Sequence, residues 1–242
     1  MLLVKNGKII TMTDTDYENG YIIVSDSKIV EVGEGDNYLK NELYVKHNNC
    51  TVIDAKGNYV LPGYIDAHCH IGMWEDSLGF EGADGNEATD PVTPHLRAID
   101  GVYPYDRYFT EARENGVTTV VTGPGSANVI GGQFAALKTY GKRVEDMIVK
   151  EPVAVKVAFG ENPKSVYGKD KKMPSTRMAT AAILRESLMK AREYKKLKDE
   201  SEKDESAKEK FKYAMKMESL VKVLNREIPI KAHAHRADDI LT

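Results

Sequence analysis

The chain has 242 residues, 29% charged and 41% hydrophobic, with a formal net charge of −3. That length buries a sizeable core and holds one or two domains. The near balance of charge provides no field for nucleic acid or an anionic membrane, and no apolar run approaches the ~20 residues of a membrane helix. The N-terminal MLLVKNGKII lacks the layout of a signal peptide, and two cysteines, Cys50 and Cys69, make no disulfide framework. A protein of the reducing cytoplasm is expected.

Residues 1–60 read as β-structure. MLLVK-NG-KIITM reads as a hairpin turning at Asn6-Gly7, YIIVSDSKIVEVG as a second with a weaker turn at Asp26-Ser27, and TVIDAKGNYVLPG as a third around Lys56-Gly57-Asn58. Three such units suggest a small N-terminal β-sandwich, bounded by Pro62-Gly63. Residues 61–242 then form a second domain. LPGYIDAHCH reads as a turn followed by a strand. The long Gly-, Asp- and Pro-rich stretch after it lacks periodicity and is expected to be a lid or substrate wall. FTEARENG reads as a helix that stops at Gly116. VTTVVT (117–122) reads as a buried strand, GPGSANVIGG (123–132) as a glycine-rich turn, and VAVKVAF (153–159) and IPIKAHAH (228–235) as further strands. Between Pro174 and Glu227 lie two amphipathic helices. The first is capped by Ser175 and shows Leu184, Leu188 and Ala191; the second shows Met217, Leu220, Val221 and Leu224. The mixed-charge KKLKDESEKDESAKEK between them reads as a solvated face, and its methionine-bearing neighbour AMKMESL as core filler.

Short apolar strands separated by helices indicate an α/β fold with βα units and a parallel sheet, a partial (β/α)8 TIM-type barrel. Chemistry in such barrels sits at the C-terminal ends of the strands, where His68, His70, Lys156 and His233 fall. Side chains two apart share one face of a strand, so Asp66, His68 and His70 point one way and Cys69 the other, as a packed thiol. Three imidazoles from two strands supply a nitrogen-rich partial shell for a divalent ion, which lowers the pKa of its water to ~7. His233 is favoured as a ligand, with His235 a second ligand or a substrate contact. Asp66 is placed as an orienting group behind a ligand histidine. Lys156, a lysine in an apolar strand, must be paired, neutral or modified. A salt bridge to a buried acid is weighed ahead of a carboxylated lysine bridging two metals. His47 and His95 are read as non-ligands.

VIDAKGNYVLPGYIDAHCH resembles the hand-over from N-terminal sandwich to first barrel strand in the metal-dependent amidohydrolase superfamily. ENGVTTVVTGPGSANVIGGQ, VAFGENPKSVYG and KAHAHRADDI resemble later signatures of its imidazolonepropionase-related branch. The resemblance implies a sandwich plus a distorted (β/α)8 barrel and hydrolysis of a carbon–nitrogen bond, in a non-peptide amide or cyclic amide, by metal-activated water. It carries the first-strand metal pair onto His68 and His70, the fifth-strand histidine onto His233 and the bridging lysine onto Lys156. It implies one or two divalent ions, zinc first among them, and a small-molecule substrate. The family's sixth-strand histidine and eighth-strand aspartate, the general base, have no counterpart before Thr242, so the chain is expected to be the N-terminal part of a longer enzyme.

Two other functions remain open at this stage: a dipeptidase-type metallopeptidase, and a catalytically inactive truncated or split subunit. The expected partners accordingly include further copies of the chain or a complementing C-terminal chain, and neither nucleic acid nor membrane.

Overall fold

Asn6-Gly7 does not turn the chain. In the computed structural model, which describes residues 1–46, 49–76 and 78–241, strand β1 (Leu2–Ile9) runs straight through it. Asn6 sits at φ 54°, and the register with β2 (Tyr17–Ser25) shifts on either side of Gly7, so the dipeptide makes a bulge. Asp26-Ser27, expected to be the weaker turn, is the real two-residue hairpin. Both residues have positive φ, 50° and 62°, and they join β2 to antiparallel β3 (Lys28–Glu34). The third expected hairpin is also absent. β4 (Thr51–Asp54) and β5 (Tyr59–Val60) both run parallel to β1, and the turn at Lys56-Gly57 lets the chain step past the bulge. Gly57 N donates to Asn6 O at 2.7 Å, and Ala55 N to Lys5 O at 2.8 Å. A parallel partner needs a long connection, and β2, β3 and helix α1 (Glu42–Lys46) all lie between β1 and β4 in the chain. The result is one five-stranded sheet whose small core is Leu3, Tyr21, Ile23 and Tyr38. His47 lies outside the described residues.

The chain divides into two units, Met1–Gly63 and Tyr64–Thr242. The second is built on a sheet of order β10-β9-β8-β7-β6. β6 (Tyr64–Cys69) and β7 (Val117–Thr122) are parallel, as are β9 (Ile148–Ala158) and β10 (Ile230–His233). Between them β8 (Ile130–Lys138) is antiparallel to both neighbours. The glycine-rich stretch expected to be a turn therefore ends inside a strand, and the sheet is mixed. Gly132 explains the composition: a Cβ there would stand 2.5 Å from the Leu96 carbonyl oxygen, because the long loop runs directly alongside β8.

Helices pack on this sheet. α2 (Arg107–Glu114) is capped by Asp106, which accepts from Tyr108 N at 2.9 Å. Short α3 (Val144–Met147) precedes β9, and α4 (Glu161–Gly168) follows it. α5 (Arg177–Ser201) is capped by Thr176, one residue beyond the expected Ser175, and Thr176 Oγ1 accepts from Ala179 N at 3.0 Å. Its buried stripe is Thr180, Ile183, Ser187, Ala191 and Tyr194; of the expected residues Ala191 is in that stripe, while Leu184 and Leu188 are half-buried at its margin. α6 (Glu205–Lys208), α7 (Met215–Leu224) and α8 (Ala237–Leu241) complete the unit. Met217, Leu220 and Leu224 pack with Val155, Val157 and Ile183 as expected. The charged segment lies at the surface, with ion pairs such as Lys195–Asp199 (3.0 Å). No helix among the described residues is long and apolar enough to cross a membrane.

Candidate active site

The sheet is curled, and a single lysine shows how strongly. Lys231 on edge strand β10 donates from Nζ to the carbonyl of Ala67 on the opposite edge strand, β6. Five flat strands would hold their edges about 19 Å apart, at ~4.8 Å per step. A lysine stem reaches only about 6 Å. The concave face therefore closes on itself, around the ring of Phe134 on the middle strand, which is fully buried.

Four groups converge on that ring. The centroid of His68 lies 5.3 Å from it and that of His70 6.1 Å. The amines of Lys156 and Lys231 stand 6.0 and 4.9 Å from its centre. His68 and His70, the latter one residue beyond β6, meet edge to face at 5.4 Å, so the two rings lie on one side of the chain as expected. Cys69 points the other way and packs against the cluster of Met73, Val102 and Phe109; burial pushes its thiol up. Asp66 does not orient a ring. Its Oδ1 accepts from the His68 backbone N–H at 3.0 Å.

The imidazoles are prepared as lone-pair donors. His70 Nδ1 lies 2.7 Å from the carbonyl oxygen of Gly123. A carbonyl only accepts, so Nδ1 carries the proton and Nε2 of the neutral ring keeps its lone pair. Burial, then the nearby Lys156 and Lys231, hold His68 below the ordinary histidine range. Burial, then His235 and Lys156, do the same to His233. His233 ends β10, and His235 lies just beyond the strand, its ring 4.5 Å from that of His233 and its Nδ1 hydrogen-bonded to Glu161.

Lys156 overturns the salt-bridge reading. It is 2% exposed, yet no carboxylate pairs with it among the described residues. Its cross-strand partner in the register of β9 and β10 is another lysine, Lys231. Burial first, and Lys231 second, pull its amine below the usual lysine value. Lys231 is the group that sequence reading missed. The signal was present in IPIKAHAH, since Lys231 and His233 are two apart and share a face of β10.

The residues fit a metal ion in part. The structure joins His68 to His70 and His233 to His235, but no three His, Cys, Asp or Glu side chains stand close enough to share an ion among the described residues.

The long loop is pinned down as a wall. Asn128, 2% exposed, donates from Nδ2 to the carbonyls of Glu87 (2.6 Å) and Asp90 (2.8 Å) and to Thr93 Oγ1 (3.2 Å). Tyr167 Oη donates to the same two carbonyls at 3.2 and 3.0 Å. Lys216 pairs with Asp90 at 2.5 Å, and Gln133 Nε2 holds the Pro94 carbonyl at 2.9 Å. Behind this wall lies a cavity of about 630 Å³, lined by Asp84, Glu87, Thr93, Arg97, Pro124 and Asn128, among others. Trp74, from the same loop, sets its ring edge-on to His70 at 5.6 Å. His95 belongs to the wall too; its Nδ1 is buried without a hydrogen-bond partner.

No protein-family model matches the chain. The crystal structure of an amidohydrolase from Thermotoga maritima superposes over the whole chain with a TM-score of 0.86 and 41% identity. In sequence and in fold the chain is similar to amidohydrolases. Amidohydrolase tasK of Hapsidospora irregularis is 29% identical over 211 residues, which is 78% of this chain and 21% of the relative. The 5'-deoxyadenosine deaminase of Methanosarcina acetivorans is 38% identical over 74 residues, 30% of this chain and 15% of that one. A dihydroorotase of Staphylococcus epidermidis is 37% identical over 71 residues, 29% of this chain and 15% of the relative. The chain thus spans 60% of the Thermotoga chain and about a fifth or less of the curated relatives.

Proposed function

We propose that the protein serves a metal-dependent hydrolase of carbon–nitrogen bonds in non-peptide or cyclic amides. The observation that carries this reading is the state of His70. Its Nδ1–H is spent on Gly123 O, so its Nε2 lone pair is presented beside His68 on the concave face. His68 and His70 are the pair that would begin the ion's shell, and His233, which stands apart from them in this structure, is assigned as a further ligand, zinc being the first choice for imidazole nitrogen. Such an ion polarises a carbonyl and generates a nucleophile from water near neutral pH.

The chain's own residues do the rest. Gly123 orients His70, and the pinned loop forms one side of the site, where Trp74 meets His70. Lys156, buried beside a second amine and without a carboxylate, is suited to act as a neutral ligand or to carry carbon dioxide as a carbamate on its nitrogen. His235 is assigned as a second ligand or a substrate contact. On this reading the curled sheet is the first part of a (β/α)8 barrel, and the N-terminal sheet is part of a sandwich.

The relatives named as deaminases and as a dihydroorotase support two substrate classes, a ring amidine that loses ammonia and a cyclic amide that opens. The test is a panel of cyclic amides, aminopurine nucleosides and dipeptides, incubated with the zinc-loaded protein. Hydrolysis abolished in His68→Ala is the expected result. Turnover confined to dipeptides would move the assignment to a metallopeptidase, and no turnover of any class would overturn it.

A further inference from the structure

Three helix starts meet beside His235. Glu161 opens α4 directly after β9, Arg177 opens α5, and Asp239 lies in α8 directly after β10. Asp239 is 6% exposed, and a carboxylate so placed needs a cation. Arg177 supplies it, with Nε 3.0 Å from Asp239 Oδ1. The same guanidinium turns Nη2 to Glu161 Oε2 at 3.4 Å, and the other carboxylate oxygen of Glu161 meets His235 Nδ1. Gly160 makes room for this arrangement. It sits at φ 70°, and a Cβ there would stand 2.6 Å from Asp239 Oδ2. The contacts thus run from a buried anion through a planar guanidinium to a carboxylate and then to the imidazole, which lies 4.5 Å from that of His233.

We propose that Glu161 is a positioning residue that holds His235 in its Nδ1–H tautomer, and that Arg177, anchored on buried Asp239, holds Glu161. A carboxylate only accepts, so the proton shared with Glu161 resides on Nδ1, and the neutral ring presents Nε2 as a lone pair. The purpose of that arrangement rests on the reading of His235 as a ligand or substrate contact; the arrangement itself does not. Glu161 touches no reacting atom. It acts through His235, and its conservative replacement by glutamine keeps an accepting oxygen.

The test is a long-range ¹H–¹⁵N spectrum of the ¹⁵N-labelled full chain at about pH 9, where a histidine of ordinary pKa is neutral. His235→Gln assigns the signals. The expected wild-type result is a single Nδ1–H tautomer at His235. Glu161→Ala is expected to lose it as the major species, and Glu161→Gln to retain it, with the amide fingerprint of both variants otherwise matching wild type. An Nε2–H tautomer in the wild type overturns the proposal without any variant, and so does a tautomer unmoved in Glu161→Ala. Adding Zn²⁺ separates the two readings. A tautomer that depends on Glu161 but ignores zinc upholds the positioning role and removes the ligand role of His235.

Discussion

Lys156 and Lys231 stand directly opposite one another in the parallel register of β9 and β10, and both amines reach the ring of Phe134. Like charges placed so are destabilising, and burial adds to the penalty. Both amines are held below the ordinary lysine value, in each case by burial first.

That arrangement makes Lys156 a liability for folding. A lysine whose folded pKa is below 10.5 binds fewer protons folded than unfolded across the interval between the two values. Stability therefore rises with pH through that window, and the full penalty applies below it. Replacing Lys156 with Met is expected to raise stability by about 1–2 kcal/mol near pH 7, since an apolar side chain of similar volume removes an unpaired buried amine. The gain should shrink as pH approaches 10.5. Urea midpoints of both proteins at two pH values would show it, and a gain that does not change with pH would count against the buried-amine argument.

The histidines set a second pH dependence. His68 and His233 are both held below 6.5, by burial before any charge. The unfolded chain then binds more protons just below that value, so stability falls as pH drops from 6.5 through the folded pKa values. NMR titration of the ring Cε1–H signals should place both midpoints below 6.5. A midpoint above it for either ring would contradict the burial.

Trp74 is the single tryptophan of the chain, and its ring faces that of His70 at 5.6 Å. Zinc bound through His70 should change its emission. His70→Gln is expected to weaken zinc binding by at least about 10-fold, the scale on which even supporting groups act. Fluorescence titration of both proteins decides it; equal affinities would place any ion elsewhere.

The wall depends on Asn128. Asn128→Ala leaves two buried carbonyls with fewer donors and should cost about 2–3 kcal/mol, against about 1 kcal/mol for Tyr167→Phe. Hydrogen exchange should quicken over residues 87–93 in both. A loss below about 0.5 kcal/mol for Asn128→Ala would mean that the other contacts suffice.

Much of the site was legible because its signals are local. Alternation along YIDAHCH put His68 and His70 on one side and Cys69 on the other, as the ring contacts and packing bear out. The helix stop at Gly116 and the strand VTTVVT follow from turn chemistry and β-branching, and both appear where expected. Local signals also misled. Asn6-Gly7 has the composition of a hairpin turn, yet it forms a bulge because the chain must pair β1 with β2 on one side and with β4 and β5 on the other.

By itself, the sequence determined the pair of histidines, the break near Pro62-Gly63, and the strands and helices that carry their own periodicity. The tertiary structure alone decided that β8 runs antiparallel through the glycine-rich stretch, that Lys156 faces another lysine and no acid, and that the long loop is a pinned wall. It also decided the place of Lys231, whose partner Ala67 lies 164 residues away. Strand direction and cross-sheet partners come from pairing between distant segments, and no window of local sequence holds both halves of such a pair.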